Sequence, residues 1–204
     1  MKLQAVLMML VGVWQSGCTP VDASRYGQVL DAGYTVSAVP LNQISREYVR
    51  QEIPYQSSYP PGTIIVDPSN YFLYLVQPRG RAIRYGVSVG KGAFGWSGRA
   101  VVGREAAWPK WTPPAEMVER SPDLRRYRGG LKAGAVNPLG ARALYLFKNG
   151  RDTLYRIHGT PEWWSIGRSE SSGCIRMLNH DVIDLAARVS VGAPVVVLPR
   201  KSIL

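Results

Sequence analysis

Thr63-Ile64-Ile65-Val66-Asp67-Pro68-Ser69-Asn70-Tyr71-Phe72-Leu73-Tyr74-Leu75-Val76-Gln77-Pro78-Arg79-Gly80 holds two blocks of β-branched and aromatic residues, each closed by turn formers. A third block, Ala82 to Val89, follows at once. The economical reading is a meander of hairpins that begins near Pro60-Pro61-Gly62.

Similar strand-like runs occur at Ala100-Val101-Val102-Gly103, Ala143 to Phe147, Thr153 to His158 and Pro194 to Leu198. One stretch reads clearly as helix, Asn179 to Val189. There Val182, Ile183, Leu185, Ala186 and Val189 form an apolar stripe, and Asn179 or Asp181 can cap. The pattern predicts a mainly β domain over residues 60–199, with a short tail at 200–204. Between Gly90 and Gly140 the chain is rich in Gly, Pro and Trp, as in Trp108-Pro109-Lys110-Trp111-Thr112-Pro113-Pro114, and shows little periodicity. A long ordered loop of this kind often forms a binding wall or lid.

Ahead of the domain, residues 24–59 read as a linker or N-terminal extension that packs on it, with a helix-compatible piece around Leu41 to Arg50. Residues 1–23 read as an export signal: Met1-Lys2 supplies one charge, and Leu3 to Trp14 is apolar but too short to span a bilayer. Two endings compete. Gln15-Ser16-Gly17-Cys18 resembles a lipoprotein processing site, in which case Cys18 carries lipid and anchors the protein to the membrane. Val21-Asp22-Ala23 is a small-residue cleavage site that discards Cys18.

Lys and Arg number 25 against 14 Asp and Glu, for a formal charge of +11. Export removes nucleic acid as a partner, so an anionic envelope polymer or membrane surface is the better match for that charge. With Cys18 lipidated or removed, Cys174 has no disulfide partner. Its neighbours Ser171, Ser172, Gly173 and Arg176 argue for an accessible, reactive thiol rather than an inert buried one.

His158 ends an apolar strand-like run sixteen positions before Cys174. Together they supply a nucleophile and a general base, with the Gly159 carbonyl placed to orient the imidazole. Proton transfer to His158 would leave a thiolate beside an imidazolium, so the nucleophile is expected to be populated at neutral pH. The backbone amides of Ser172, Gly173 and Cys174 are the candidate oxyanion donors. Arg176 can fork onto a substrate carboxylate. No metal-ligand spacing, Gly-x-Ser-x-Gly elbow, phosphate loop or dinucleotide fingerprint is present, and neither metal nor organic cofactor is expected.

Ile157-His158-Gly159-Thr160, Ser165-Ile166-Gly167 and Ser171-Ser172-Gly173-Cys174-Ile175-Arg176-Met177, with Asn179 and Asp181, resemble the catalytic domain of the bacterial L,D-transpeptidases. Tyr85 to Gly90, Trp111 to Pro114 and Asn137 to Gly140 also look like family segments, so the likeness covers Gly62 to Leu198. The resemblance implies a β-sandwich-like domain whose Cys174 attacks the third residue of a peptidoglycan tetrapeptide stem and expels D-alanine. An amine from a second stem then makes a cross-link; water instead makes the enzyme an L,D-carboxypeptidase. Trp111 and Arg176 are the implied substrate contacts. Many members carry histidine where this chain has Ser172. The rival readings are a non-catalytic peptidoglycan-binding module and, for want of a resolving cysteine, more weakly a thiol redox protein.

Overall fold

The computed structural model describes residues 22–90, 96–170 and 173–200. Cys18, residues 1–21 of the expected export signal, Ser171, Ser172 and residues 201–204 lie outside the described residues. The strands are β1 (Val29–Asp31), β2 (Tyr34–Val36), β3 (Gln51–Pro54), β4 (Ile64–Asp67), β5 (Phe72–Gln77), β6 (Arg81–Ser88), β7 (Gly98–Ala107), β8 (Arg142–Lys148), β9 (Arg151–Thr160), β10 (Ile175–Leu178) and β11 (Pro194–Val197). The helices are α1 (Ala115–Arg120) and α2 (Asn179–Arg188).

The hairpin blocks of the Thr63 to Val89 stretch become β4, β5 and β6, paired antiparallel in sequence. The large sheet runs β10-β9-β8-β7-β11-β4-β5-β6, and β6 returns to pair with β10 through Ser88 and Val87. Eight strands thus close a flattened ring, a sandwich whose two layers are joined at both sides. Closure leaves those strands without a long free edge that could pair with another chain. The remaining edge of β6, Arg81 to Arg84, is covered by β3.

Two neighbours in the ring are parallel, β9 with β10 and β11 with β4. The first pair requires a crossover. Inward-facing Leu73, Leu75, Val87, Leu144, Ile157 and Met177 are essentially inaccessible. α2 lays Val182, Leu185 and Ala186 into the same cluster. Each such side chain contributes roughly 1.5–3 kcal/mol by leaving water.

Several sequence expectations are corrected. The Leu41 to Arg50 piece forms only a tight turn at Arg46–Tyr48, because Gln51 onward is drawn into the ladder with β6 while Ile44 and Val49 fill a cluster with Tyr26, Ile166 and Leu178. Neither Asn179 nor Asp181 caps α2. Its N-cap is Leu178, the Asn179 Oδ1 accepts from the Ala141 amide at 2.9 Å, and Asp181 Oδ1 accepts from the Tyr26 hydroxyl at 2.7 Å. The Gly90 to Gly140 region contains all of β7, which runs well beyond the expected Ala100 to Gly103 strand, and all of α1. A register shift between Val102 and Arg104, followed by Arg104 and Glu105, hides the length of β7 from a pattern search.

The segment from Asp22 to Pro54 is strapped to α2 by buried polar contacts. Tyr26 donates to Asp181 and accepts from the Arg50 amide at 2.9 Å. The Arg50 guanidinium reaches Asp184 at 2.6 Å, where Tyr85 and Arg188 also bond. A His180 Nε2–H donates to the Gly27 carbonyl at 2.7 Å. Burial pushes the Asp181 carboxyl up to about 7, against the Tyr26 hydrogen bond and the Arg50 charge that favour its ionised form.

Because the folded-state pKa of Asp181 lies above its ordinary value of about 3.9, its contribution is fully present at low pH and is lost as pH rises toward 7. Asp181→Asn keeps an acceptor for Tyr26 and has no charge to bury. Calorimetric melting from pH 4 to pH 8 is expected to show this variant gaining on the wild type as pH rises; parallel curves would contradict the assignment. Tyr26→Phe is expected to lose about 1–3 kcal/mol in urea unfolding, the range for orphaning a buried acceptor.

Candidate active site

The parallel pairing of β9 with β10 sets Arg176 opposite His158 and Met177 opposite Gly159. Ile157, Ile175 and Met177 point into the core. The alternate residues Arg156, His158 and Arg176 therefore share the other face. Cys174 immediately precedes β10, and carrying the register back by two residues sets it level with Arg156. At a strand spacing of about 4.8 Å and a rise of about 3.3 Å per residue, its Cα lies roughly 8 Å from that of His158, a separation two side chains can bridge. The Arg156 backbone hydrogen-bonds the thiol. Gly173, at φ +139°, has a backbone conformation that an L side chain rarely adopts, which explains glycine before the cysteine.

His158 is only 4 % exposed, and its Nδ1 stands 2.6 Å from the Gly159 carbonyl oxygen. A proton on Nδ1 satisfies that carbonyl and leaves Nε2 as an acceptor. Burial pulls the His158 pKa down to about 4, with the Arg176 and Arg156 charges acting the same way and the Gly159 and Pro138 carbonyls opposing. Burial likewise pushes the Cys174 thiol up, while the Arg156 hydrogen bond and the Arg156 and Arg176 charges work against it.

These directions correct the expectation of a thiolate populated at neutral pH. His158 is buried and Cys174 half-buried, and desolvation biases each toward its neutral form. Both directions favour a thiol and a neutral imidazole over an ion pair. Such a pair can do acyl chemistry if the imidazole accepts the thiol proton as the sulfur attacks, and the two carbonyls at the ring then stabilise the imidazolium as it forms.

Two carboxamides, one buried and one half-buried, hold the surroundings. Asn137 is fully buried; its Nδ2 donates to the carbonyls of Pro109 (2.9 Å), Lys132 (3.1 Å) and Leu131 (3.3 Å), and its Oδ1 accepts from the Leu139 amide at 2.9 Å. It thereby fixes the loop that carries Pro138 to His158. Asn179 bonds Ala141 and fills the space beside Gly140 and Gly159, where any Cβ would collide with its Oδ1. Gly140, at φ +61°, also needs glycine for its backbone. Both asparagines stood inside quoted family segments, but no single-sequence signal gave their partners, which for Asn179 lie 38 residues away.

Of the candidate residues, Cys174, His158, Gly159, Gly173 and Arg176 come together at the start of β10. Arg176 is engaged with Glu162, Nη1 to Oε2 at 2.7 Å, beside both His158 and Cys174. Trp111 stands in the adjoining loop, bridged to Leu131 through both backbone groups, with its ring on Tyr127. His180 belongs to the strap contact at Gly27. Ser172 and Cys18 lie outside the described residues.

A family model for YkuD, the L,D-transpeptidase catalytic domain, matches residues 61–197. Among curated proteins, the probable L,D-transpeptidase YbiS of Escherichia coli is 34 % identical over 139 residues, 65 % of this chain and 43 % of that protein. The probable L,D-transpeptidase ErfK/SrfK of Salmonella typhimurium is 30 % identical over 203 residues, 93 % of this chain and 63 % of that protein. The chain therefore spans about half the length of these relatives. A solved structure from Brucella melitensis, titled a probable carnitine operon oxidoreductase, matches with a TM-score of 0.53 and 45 % identity, over 78 % of this chain and 99 % of that one. The oxidoreductase name belongs to the Brucella protein alone, whereas the family match runs from β4 to β11 and takes in both His158 and Cys174. The chain belongs to the L,D-transpeptidase catalytic domain family.

Proposed function

We propose that this protein is a peptidoglycan L,D-transpeptidase of the cell envelope, with Cys174 as nucleophile and His158 as general base. The observation that carries the reading is the β9–β10 register, which gives a half-buried thiol and a buried, carbonyl-oriented imidazole a common face. As the Cys174 sulfur bonds to the carbonyl carbon of the third stem residue, its proton passes to His158. The carbon–nitrogen bond then breaks, and His158 returns the proton to the departing D-alanine amine. An amine of a neighbouring stem attacks the thioester and gives its proton to His158; the carbon–sulfur bond breaks, and His158 returns that proton to the Cys174 sulfur.

The amides of Gly173 and Cys174, with that of Ser172, stabilise the oxyanion, where loss of one donor costs about 3 kcal/mol of barrier stabilisation. The Gly159 carbonyl keeps the imidazole in its accepting tautomer. Arg176 and Trp111 contact the substrate. The apolar run from Leu3 to Trp14 and the charge of +11 support work outside the cytoplasm on an anionic polymer, with Cys18 a lipid anchor if processing occurs in front of it.

Exposure to a tetrapeptide stem or a carbapenem is expected to add one acyl mass to Cys174 in intact-protein mass spectrometry. A folded protein that gains no adduct counts against the reading, and Cys174→Ala supplies the blank. His158→Ala is expected to slow acylation by about 10²–10⁴-fold. Because the imidazole must be unprotonated to accept, the wild-type acylation rate is expected to fall only as pH drops through about 4. An acid limb near the ordinary histidine value of about 6.5 would contradict a desolvated base. Muropeptide products identified by mass separate the acceptors: a cross-linked dimer means an amine, a trimmed tripeptide means water.

A further inference from the structure

On the face that carries His158, one row of side chains crosses three strands: Arg104 of β7 lies opposite Tyr145 of β8, and Tyr145 opposite Arg156 of β9. Cys174 continues the same row on the far side of Arg156. The Tyr145 ring is 9 % exposed because a guanidinium covers it from each flank, the Arg104 carbon 3.5 Å and the Arg156 carbon 4.3 Å from the ring centroid. Stacking of this kind orders both cations over the π-face.

The two arginines are not equivalent. Arg156 is chelated by Asp152 at 2.7 and 2.8 Å and also bonds the Tyr155 carbonyl at 2.9 Å, so its plane is fixed. Arg104 is exposed and makes no hydrogen bond or ion pair among the described residues, although its charge is felt at Asp152. Two guanidiniums stand against one carboxylate, which only Arg156 binds, so the cluster carries a net positive charge. The unused fork of Arg104 is held flat by Tyr145 and so has already lost much of the freedom that binding would remove.

We propose that Arg104, on its Tyr145–Arg156 platform, is a carboxylate-binding subsite that selects peptide stems by an acidic group outside the bond being cleaved. Three strand spacings put the Arg104 Cα about 14 Å from that of Cys174, a gap that a few extended residues and a long side chain cover. A planar carboxylate meets the guanidinium fork in a bidentate pair, and an amidated stem offers only a neutral group in its place. The identity of the ligand as a stem peptide rests on the transpeptidase reading; the anion preference rests on the platform.

The test is calorimetric binding of synthetic tetrapeptide stems, with their carboxylates free or amidated, to the full chain carrying Cys174→Ala so that no turnover intervenes. Adding Arg104→Ala is expected to weaken the free-acid stem about tenfold and leave the amidated stem unchanged, while Arg104→Lys recovers part of the loss. Circular dichroism on each variant checks that the sheet is intact. Equal weakening of both stems, or of neither, would overturn the proposal. The readout is affinity, so it stands whether or not the wild-type protein turns the same peptides over, and absence of turnover would count against the transpeptidase reading alone.

Discussion

Parallel pairing of β9 and β10 is the constraint on which the site depends. It sets the cysteine end of one strand beside the histidine end of the other, and β10 is held on its second edge by β6. A four-residue strand pinned on both sides cannot slip by one position without turning Ile175 and Met177 out of the core, and that cost locks the register. The chemistry thus inherits its geometry from burial on the opposite face of the same strands.

Around that pair, rigidity comes from polar groups whose partners are distant in the chain. Asn137 ties three carbonyls of the loop that brings Pro138 to the imidazole, and Asn179 joins the start of α2 to Ala141. The strap from Asp22 to Pro54 backs the other side of α2 through Tyr26, Arg50 and the Gly27 carbonyl. Leaving any such buried group unpartnered costs about 1–3 kcal/mol, so these contacts act as one cooperative frame under the active face.

Local patterning made the hairpins β4, β5 and β6, the strands β8, β9 and β11, and the helix α2 legible, since each has a clear period or a dense β-branched run. The Cys174 and His158 pair was legible from residue type and family-like context. Other features depended on distant partners. Leu41 to Arg50 looked helix-compatible because its packing on Tyr26, Ile166 and Leu178 and the ladder that begins at Gln51 are set by distant residues, and Asp181 looked like a cap because only Tyr26, 155 residues earlier, gives it another role. The expected ionisation state diverges for the same reason: proximity of thiol and imidazole suggests an ion pair, whereas desolvation, which sequence does not display, favours both neutral forms.

The central claim is therefore a neutral thiol and neutral imidazole that exchange a proton only as the substrate reacts. Ultraviolet absorbance of the thiolate near 240 nm, followed against pH with Cys174→Ala as the blank, tests this directly. The account expects no thiolate signal at pH 7 and ionisation of Cys174 only above the ordinary thiol range. A thiolate band already present at neutral pH, lost together with protonation of His158, would contradict it.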